Sequence, residues 1–162
     1  KKYGDHILIN TLSASTNKDW GIANWSEFVK QISSRHKMIH PSKSKIDSLP
    51  FYETKSFRDL LMLISSVKAV VTTEGGVHHA AAALGIPAVV LFGGRMNVEM
   101  MGYQDHLNIS INMGRTPCHC RSGASCEYCE KCWRNLSPLM VYESFLRLVE
   151  DGNTKNICHE IL

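Results

Sequence analysis

No stretch of this sequence is apolar over the ~18–20 residues that a membrane-spanning helix needs, and no five like charges stand in a row. The first absence excludes a helical membrane span and the second a charged tail or basic arm. Net charge is only +3, with lysines and arginines scattered along the chain. That is not the clustered basic face of a nucleic-acid binder. Internal repeats and low-complexity segments are missing too. The opening residues, Lys1-Lys2-Tyr3-Gly4-Asp5-His6, lack the apolar region of a signal peptide and have no initiating methionine, so a piece of a longer protein is expected. Cysteine is missing from most of the chain, with five of the six crowded between Cys118 and Cys132. A secreted disulfide framework would spread them out, so a reducing, cytoplasmic compartment is expected.

What is present describes an ordinary globular domain. Hydrophobic residues make up 44% and charged residues 20% of 162, enough for one domain or for half of a two-domain enzyme. The most informative segment is 70–94, VVTTEGGVHHAAAALGIPAVVLFGG. It reads as a buried strand at 69–72, a polar glycine turn (Thr73-Glu74-Gly75-Gly76), a small-residue helix over 77–84 and a second buried strand at 88–92. A carboxylate, two glycines and two histidines therefore gather where a strand ends and a helix begins. In open parallel sheets ligands bind at such ends, beside helix N-termini carrying partial positive charge.

Strands are further expected at 6–10, 36–40 and 106–112. Helices are expected from an Asn24 cap, from Ser56, and from Ser137-Pro138 to about residue 149. The stretches 93–103 and 115–134 read as loops, the latter cysteine-rich and set before the last helix. Alternating strands and helices predict an α/β, Rossmann-like parallel sheet with helices on both faces, with 1–162 as a single domain.

The glycines of the 72–76 turn let backbone N–H groups approach a phosphate. Glu74 would repel that phosphate, which suits it to ribose or sugar hydroxyls, or simply to the helix dipole. His78 and His79 point about 100° apart on a helix, so one meets the site while the other packs, and their adjacency is poor metal spacing. Arg95, after Gly93-Gly94, lies at a second carboxyl-end loop and could reach a phosphate. Lys18, with Ser13 and Thr16 nearby, supplies a cation and hydroxyls in the loop after the first strand. Cys118, Cys120, Cys126, Cys129 and Cys132 fit a structural zinc, disulfides or free thiols, and the spacing leaves all three open.

These residues resemble the C-terminal half of family 9 glycosyltransferases, the ADP-heptose:lipopolysaccharide heptosyltransferase family. One part of the likeness is Asn17-Lys18-Asp19-Trp20 with Asn24-Trp25. The other is Glu74-Gly75-Gly76-Val77-His78-His79 opening an alanine-rich helix, then Gly85-Ile86-Pro87 and a strand ending in Gly93-Gly94. The commoner family form has aspartate and threonine where this chain has Glu74 and Gly75, and His79 aligns with the family histidine. The resemblance implies the C-terminal half of a GT-B fold and an inverting transfer of a heptose-like sugar. The donor would be a nucleotide diphosphate, ADP-sugar favoured, and the acceptor a glycan or lipid-linked, lipopolysaccharide-type molecule. It implies donor binding by Ser13, Thr16, Lys18, Thr73, Glu74, Gly75, Gly76, Val77, His79 and Arg95, with Lys18 the catalytic candidate beside the departing diphosphate. No cofactor is needed for that chemistry. The acceptor domain and general base would lie outside this chain, which alone should bind donor without turnover, in the cytoplasm or peripherally at the inner membrane. The competing readings are half of a nucleotide-sugar epimerase of GT-B type and a non-enzymatic zinc interaction module.

Overall fold

A computed structural model describes residues 2–114, 117, 118, 120 and 126–160. Part of the loop expected at 115–134 lies outside the described residues. Six parallel strands form one sheet: β1 His6–Asn10, β2 Lys37–Ile39, β3 Ala69–Thr73, β4 Ala88–Phe92, β5 Leu107–Asn112 and β6 Ile157–Glu160, in the order β2-β1-β3-β4-β5-β6. The helices are α1 Ile22–Ile32, α2 Phe57–Ser66, α3 Gly76–Ala83, α4 Val98–Met101, α5 Glu127–Asn135 and α6 Pro138–Asp151.

The apolar strands are buried on both faces, as a parallel sheet requires. Ile7 and Ile9, Val71, and Val89 and Leu91 face one core with Trp20, Trp25 and Phe28 of the α1 region and Phe145 of α6. Leu8, Val70 and Val90 face the other, under α2 and the alanines of α3. Ala80 and Ala81 are buried, and their small side chains bring α3 close to the sheet.

Several expectations are corrected. α1 starts two residues before Asn24, because Gly21 at φ 91° turns the chain into the helix, while the Asn24 amide donates back to the Trp20 carbonyl at 2.8 Å instead of capping. β2 and β5 are each shorter than expected and exclude His36, His40 and His106. The loop expected at 93–103 contains α4, capped by the Asn97 side chain accepting from Glu99 N–H at 2.9 Å. Residues 127–135 are helical, and β6 is an unforeseen edge strand. The caps at Ser56 and Ser137 are as expected, each accepting from the N–H three residues on.

The chain passes from β1 outward to β2 and then returns to place β3 on the other side of β1. The carboxyl ends of β1 and β3 therefore lie side by side where the winding direction changes. This switch point is where an open α/β sheet leaves a crevice.

Candidate functional site

A cavity of about 470 Å³ occupies that crevice. The loop after β1 contributes Ser13 and Lys18, and the turn after β3 contributes Thr73, Glu74, Gly75, Gly76 and Val77. Seven of the residues singled out by the sequence are thus brought together. Three are not. Thr16 sits on the exposed side of a single 3-10 turn, Thr16–Lys18. His79 and Arg95 lie away from this cavity. The Arg95 side chain is half-buried, with Nε and Nη1 making no hydrogen bond among the described residues.

Lys18 and Glu74 meet across the crevice. The Nζ lies 2.7 Å from Glu74 Oε1, and the carboxylate side chain is only 3% exposed against 20% for the lysine. So buried a charge demands a partner. Pairing also changes what each residue can do: Glu74 no longer presents a bare negative charge to an incoming phosphate, and the lysine keeps donors to share between carboxylate and phosphate.

The turn itself is glycine by necessity. Gly75 caps α3 at φ 153°, a backbone state that side chains rarely adopt. A Cβ at Gly75 or Gly76 would meet nothing within 4 Å. Among the described residues no side chain caps this end, so the first N–H groups of α3 and its dipole could receive an anion. Below the turn, Asn10 Nδ2 donates to Thr72 Oγ1 at 3.0 Å and to the Leu12 carbonyl at 3.1 Å, locking the ends of β1 and β3 together. His40 braces the same loop, accepting at Nε2 from Thr11 N–H at 3.3 Å while Nδ1 donates to the Ser42 carbonyl at 2.6 Å. Burial holds its pKa below the usual value, which keeps one nitrogen free to accept. The sequence reading missed Asn10 and His40 as parts of the site. Their polarity at the ends of apolar strands was the available signal. It also missed Leu12 and Phe57, which line the cavity yet are 55% and 66% exposed.

The two histidines separate as their helical spacing requires. His78 is fully buried, edge-on to Phe92 and against Tyr103 and His106, and burial lowers its pKa to about 3. His79 is half-buried, its Nδ1 3.0 Å from the Tyr103 hydroxyl. It lines a second cavity of about 460 Å³ with Tyr103, Asp105 and His106.

The sulfurs of Cys118, Cys120, Cys126 and Cys129 lie within 4.8 Å of one another, with Cys118 and Cys129 buried. Such a set fits a thiophilic cation in a tetrahedral site. Cys126, at the start of α5, has its pKa lowered to about 7, chiefly by a backbone hydrogen bond from Cys129, while burial pushes Cys129 up. Cys132, the fifth candidate, stands apart from this group in the core with Trp133.

Residues 54–130 match the model of glycosyltransferase family 9 (heptosyltransferase). Three solved structures share the fold: E. coli heptosyltransferase WaaC with ADP (TM-score 0.67, 15% identity), E. coli ADP-heptose LPS heptosyltransferase II (0.70, 17%) and the iron-containing dodecameric glycosyltransferase TibC from enterotoxigenic E. coli H10407 (0.72, 15%). They cover 93%, 94% and 93% of this chain, which spans 45%, 48% and 46% of theirs. No curated protein sequence matches it. The match to glycosyltransferase family 9 (heptosyltransferase) thus extends over just under half of the chain, and the fold of the solved heptosyltransferases over nearly all of it.

Proposed function

We propose that this chain is the donor-binding half of an inverting glycosyltransferase that moves a heptose-like sugar from a nucleotide diphosphate, ADP-sugar favoured, to a glycan or lipopolysaccharide-type acceptor. One observation carries the reading: the Lys18–Glu74 ion pair stands beside the open N-terminus of α3 at the sheet's switch point. The diphosphate would lie on the first N–H groups of α3, against the Gly75 and Gly76 backbone, with Lys18 bridging Glu74 and a phosphate oxygen. Charge on the departing diphosphate grows as the glycosidic bond breaks, and a fixed cation and oriented amides stabilise that charge without a metal. Glu74 would take ribose or sugar hydroxyls with its remaining lone pairs. Ser13 and Thr73 add donors, and Phe57 at the cavity mouth offers a ring for the base.

The relatives supply the ligand class: WaaC has been solved with ADP and with an ADP-2-deoxy-2-fluoro heptose. The chain spans about half of such proteins, so the acceptor, its general base and turnover are assigned to a further domain. Thr16, His79 and Arg95 would contribute only if donor or that domain extends beyond the crevice. The four-cysteine cluster would hold a metal, zinc or iron, that takes no direct part in bond breaking; TibC is described as iron-containing. Among the described residues no helix is long and apolar enough to cross a membrane; the proposed setting is the cytoplasm, at the membrane surface where a lipid-linked acceptor would be met.

Calorimetric titration with ADP, UDP and GDP tests the reading. ADP should bind, and Lys18→Ala should weaken it at least tenfold, one lost charge-assisted hydrogen bond being worth ~1.5–3 kcal/mol. Binding of none of the three would sink the proposal.

A further inference from the structure

The cysteine cluster and the Lys18 turn form one connected assembly. Asn17, immediately before Lys18, is only 5% exposed. Its side-chain Nδ2 donates to Cys120 Sγ at 3.3 Å. Its backbone carbonyl accepts from the Trp133 indole N–H at 2.9 Å, and Trp133 lies on α5, the helix that carries Cys129. On the far side of the cluster, Cys118 N–H donates to the Gly94 carbonyl at 2.9 Å, fastening it to the end of β4. The path from four sulfurs to the cation in the crevice is therefore short: Cys120, Asn17, Lys18, Glu74.

We propose that a thiophilic divalent cation held by Cys118, Cys120, Cys126 and Cys129 positions Lys18 for the donor diphosphate by way of Asn17, so that metal and nucleotide bind cooperatively. The inference rests on the donor-site reading above. Its physical basis is the acceptor strength of sulfur. A neutral thiol accepts weakly, whereas a metal-bound thiolate is anionic and takes a charge-assisted N–H···S bond. With the metal in place, the Asn17 side-chain amide is held by sulfur and its backbone carbonyl by the Trp133 indole, and the turn that ends at Lys18 is ordered before the nucleotide arrives. Without the metal one of those two holds weakens, and the nucleotide must order the turn itself, which lowers its affinity. Linkage makes the effect mutual, so bound nucleotide must tighten the metal by the same factor.

The test uses the 162-residue chain loaded with zinc(II) or cobalt(II), and the same chain after chelation, with circular dichroism establishing that both are folded. The expectation is about tenfold tighter ADP binding by the loaded form, within the range usual for groups that orient metal ligands. ADP should in turn raise the apparent zinc affinity about tenfold, measured against a competing chelator, and shift the cobalt–thiolate absorption band. Lys18→Ala should weaken ADP and abolish its dependence on metal. Asn17→Ala should keep the metal yet bind ADP as weakly as the metal-free chain, an arm that holds even if chelation unfolds the protein. Equal ADP affinity with and without metal, unchanged affinity in Asn17→Ala, or failure to take up either metal overturns the inference alone. A loaded chain that binds none of ADP, UDP and GDP overturns the donor reading, and this inference with it.

Discussion

Two strands of this sheet end in the same punctuation and use it oppositely. β3 runs into Glu74-Gly75-Gly76 and β4 into Gly93-Gly94. At the first pair a Cβ would meet empty space, and the space belongs to the crevice. At the second, a Cβ on Gly93 would stand 2.5 Å from the Trp133 indole, and one on Gly94 would run into the Tyr128 ring and Cys132 Sγ. Glycine after β3 borders the open crevice, and glycine after β4 leaves room for α5. A glycine at the carboxyl end of a strand thus marks close approach without saying whether ligand or protein approaches. Only the partner distinguishes them: an ion pair and bare amides at one turn, two aromatic rings at the other.

The largest effect should come from breaking the ion pair that holds the first turn open. Lys18→Met leaves the Glu74 carboxylate, 4% exposed, without its cation, and should lower unfolding free energy by about 3–5 kcal/mol in a denaturant titration. Adding Glu74→Gln should return most of that loss. A single substitution with no cost would mean the carboxylate is solvated and the crevice needs no charge to stay open. Next comes the filled turn. Gly93→Ala pushes a methyl group into the indole and should cost about 1–3 kcal/mol, partly relieved by Trp133→Phe. Full stability of Gly93→Ala would erase the contrast between the turns.

The parts of this molecule that were legible in its sequence share one property: their determinants are local. The continuous apolar runs of β3 and β4, the Ser56 and Ser137-Pro138 caps, and the small-residue helix after Gly75 all announce themselves within a few residues. α5 does not, because its cysteines read first as ligands. Yet Cys129, Cys132 and Trp133, all buried, have the i, i+3, i+4 spacing of an amphipathic helix. β6 is an edge strand paired, among the described residues, only with β5, and nothing in Ile157-Cys158-His159-Glu160 forces extension. The site was legible as a list of residues but not as a geometry. That Lys18 pairs with Glu74, or that Asn17 touches Cys120, depends on the switch in winding between β1 and β3. The same ambiguity of glycine underlies the expectation that Arg95 could reach a phosphate; the turn before it packs against α5.

His78 links the two turns, since it lies in the first turn of α3 and packs edge-on against Phe92, the last residue of β4, with ring centroids 5.8 Å apart. Burial holds its pKa near 3, so the folded protein keeps it neutral while the unfolded chain protonates it from about pH 6.5 downward. Its contribution to stability is whole above that pH and falls toward pH 3, by at most about 1.4 kcal/mol per pH unit. Unfolding midpoints measured between pH 7 and 5 should therefore drop. The drop should be shallower in His78→Leu, whose side chain replaces a ring with both nitrogens unpartnered among the described residues. An unchanged slope in that variant would assign the acid sensitivity to the other depressed histidines, His36, His40 and His106.

The smallest effect on stability gives the sharpest separation of the two turns. Gly76 is the first residue of α3, and a Cβ there touches nothing. Alanine is the better helix former by about 0.5–1 kcal/mol, so Gly76→Ala should leave the fold intact or stabilise it by up to that amount. The new methyl group would nevertheless lie among the first N–H groups of the helix, where a phosphate must come within ~2.7–3.0 Å of backbone nitrogen. ADP affinity should fall about tenfold, a loss of ~1.4 kcal/mol, while thermal stability rises or holds. Opposite signs for stability and affinity are what a turn kept open for a ligand requires. At Gly93 the same substitution should cost stability first, with affinity following only as α5 shifts. If Gly76→Ala instead binds ADP unchanged, the glycines after β3 serve only the turn, and the diphosphate must be sought elsewhere along the crevice.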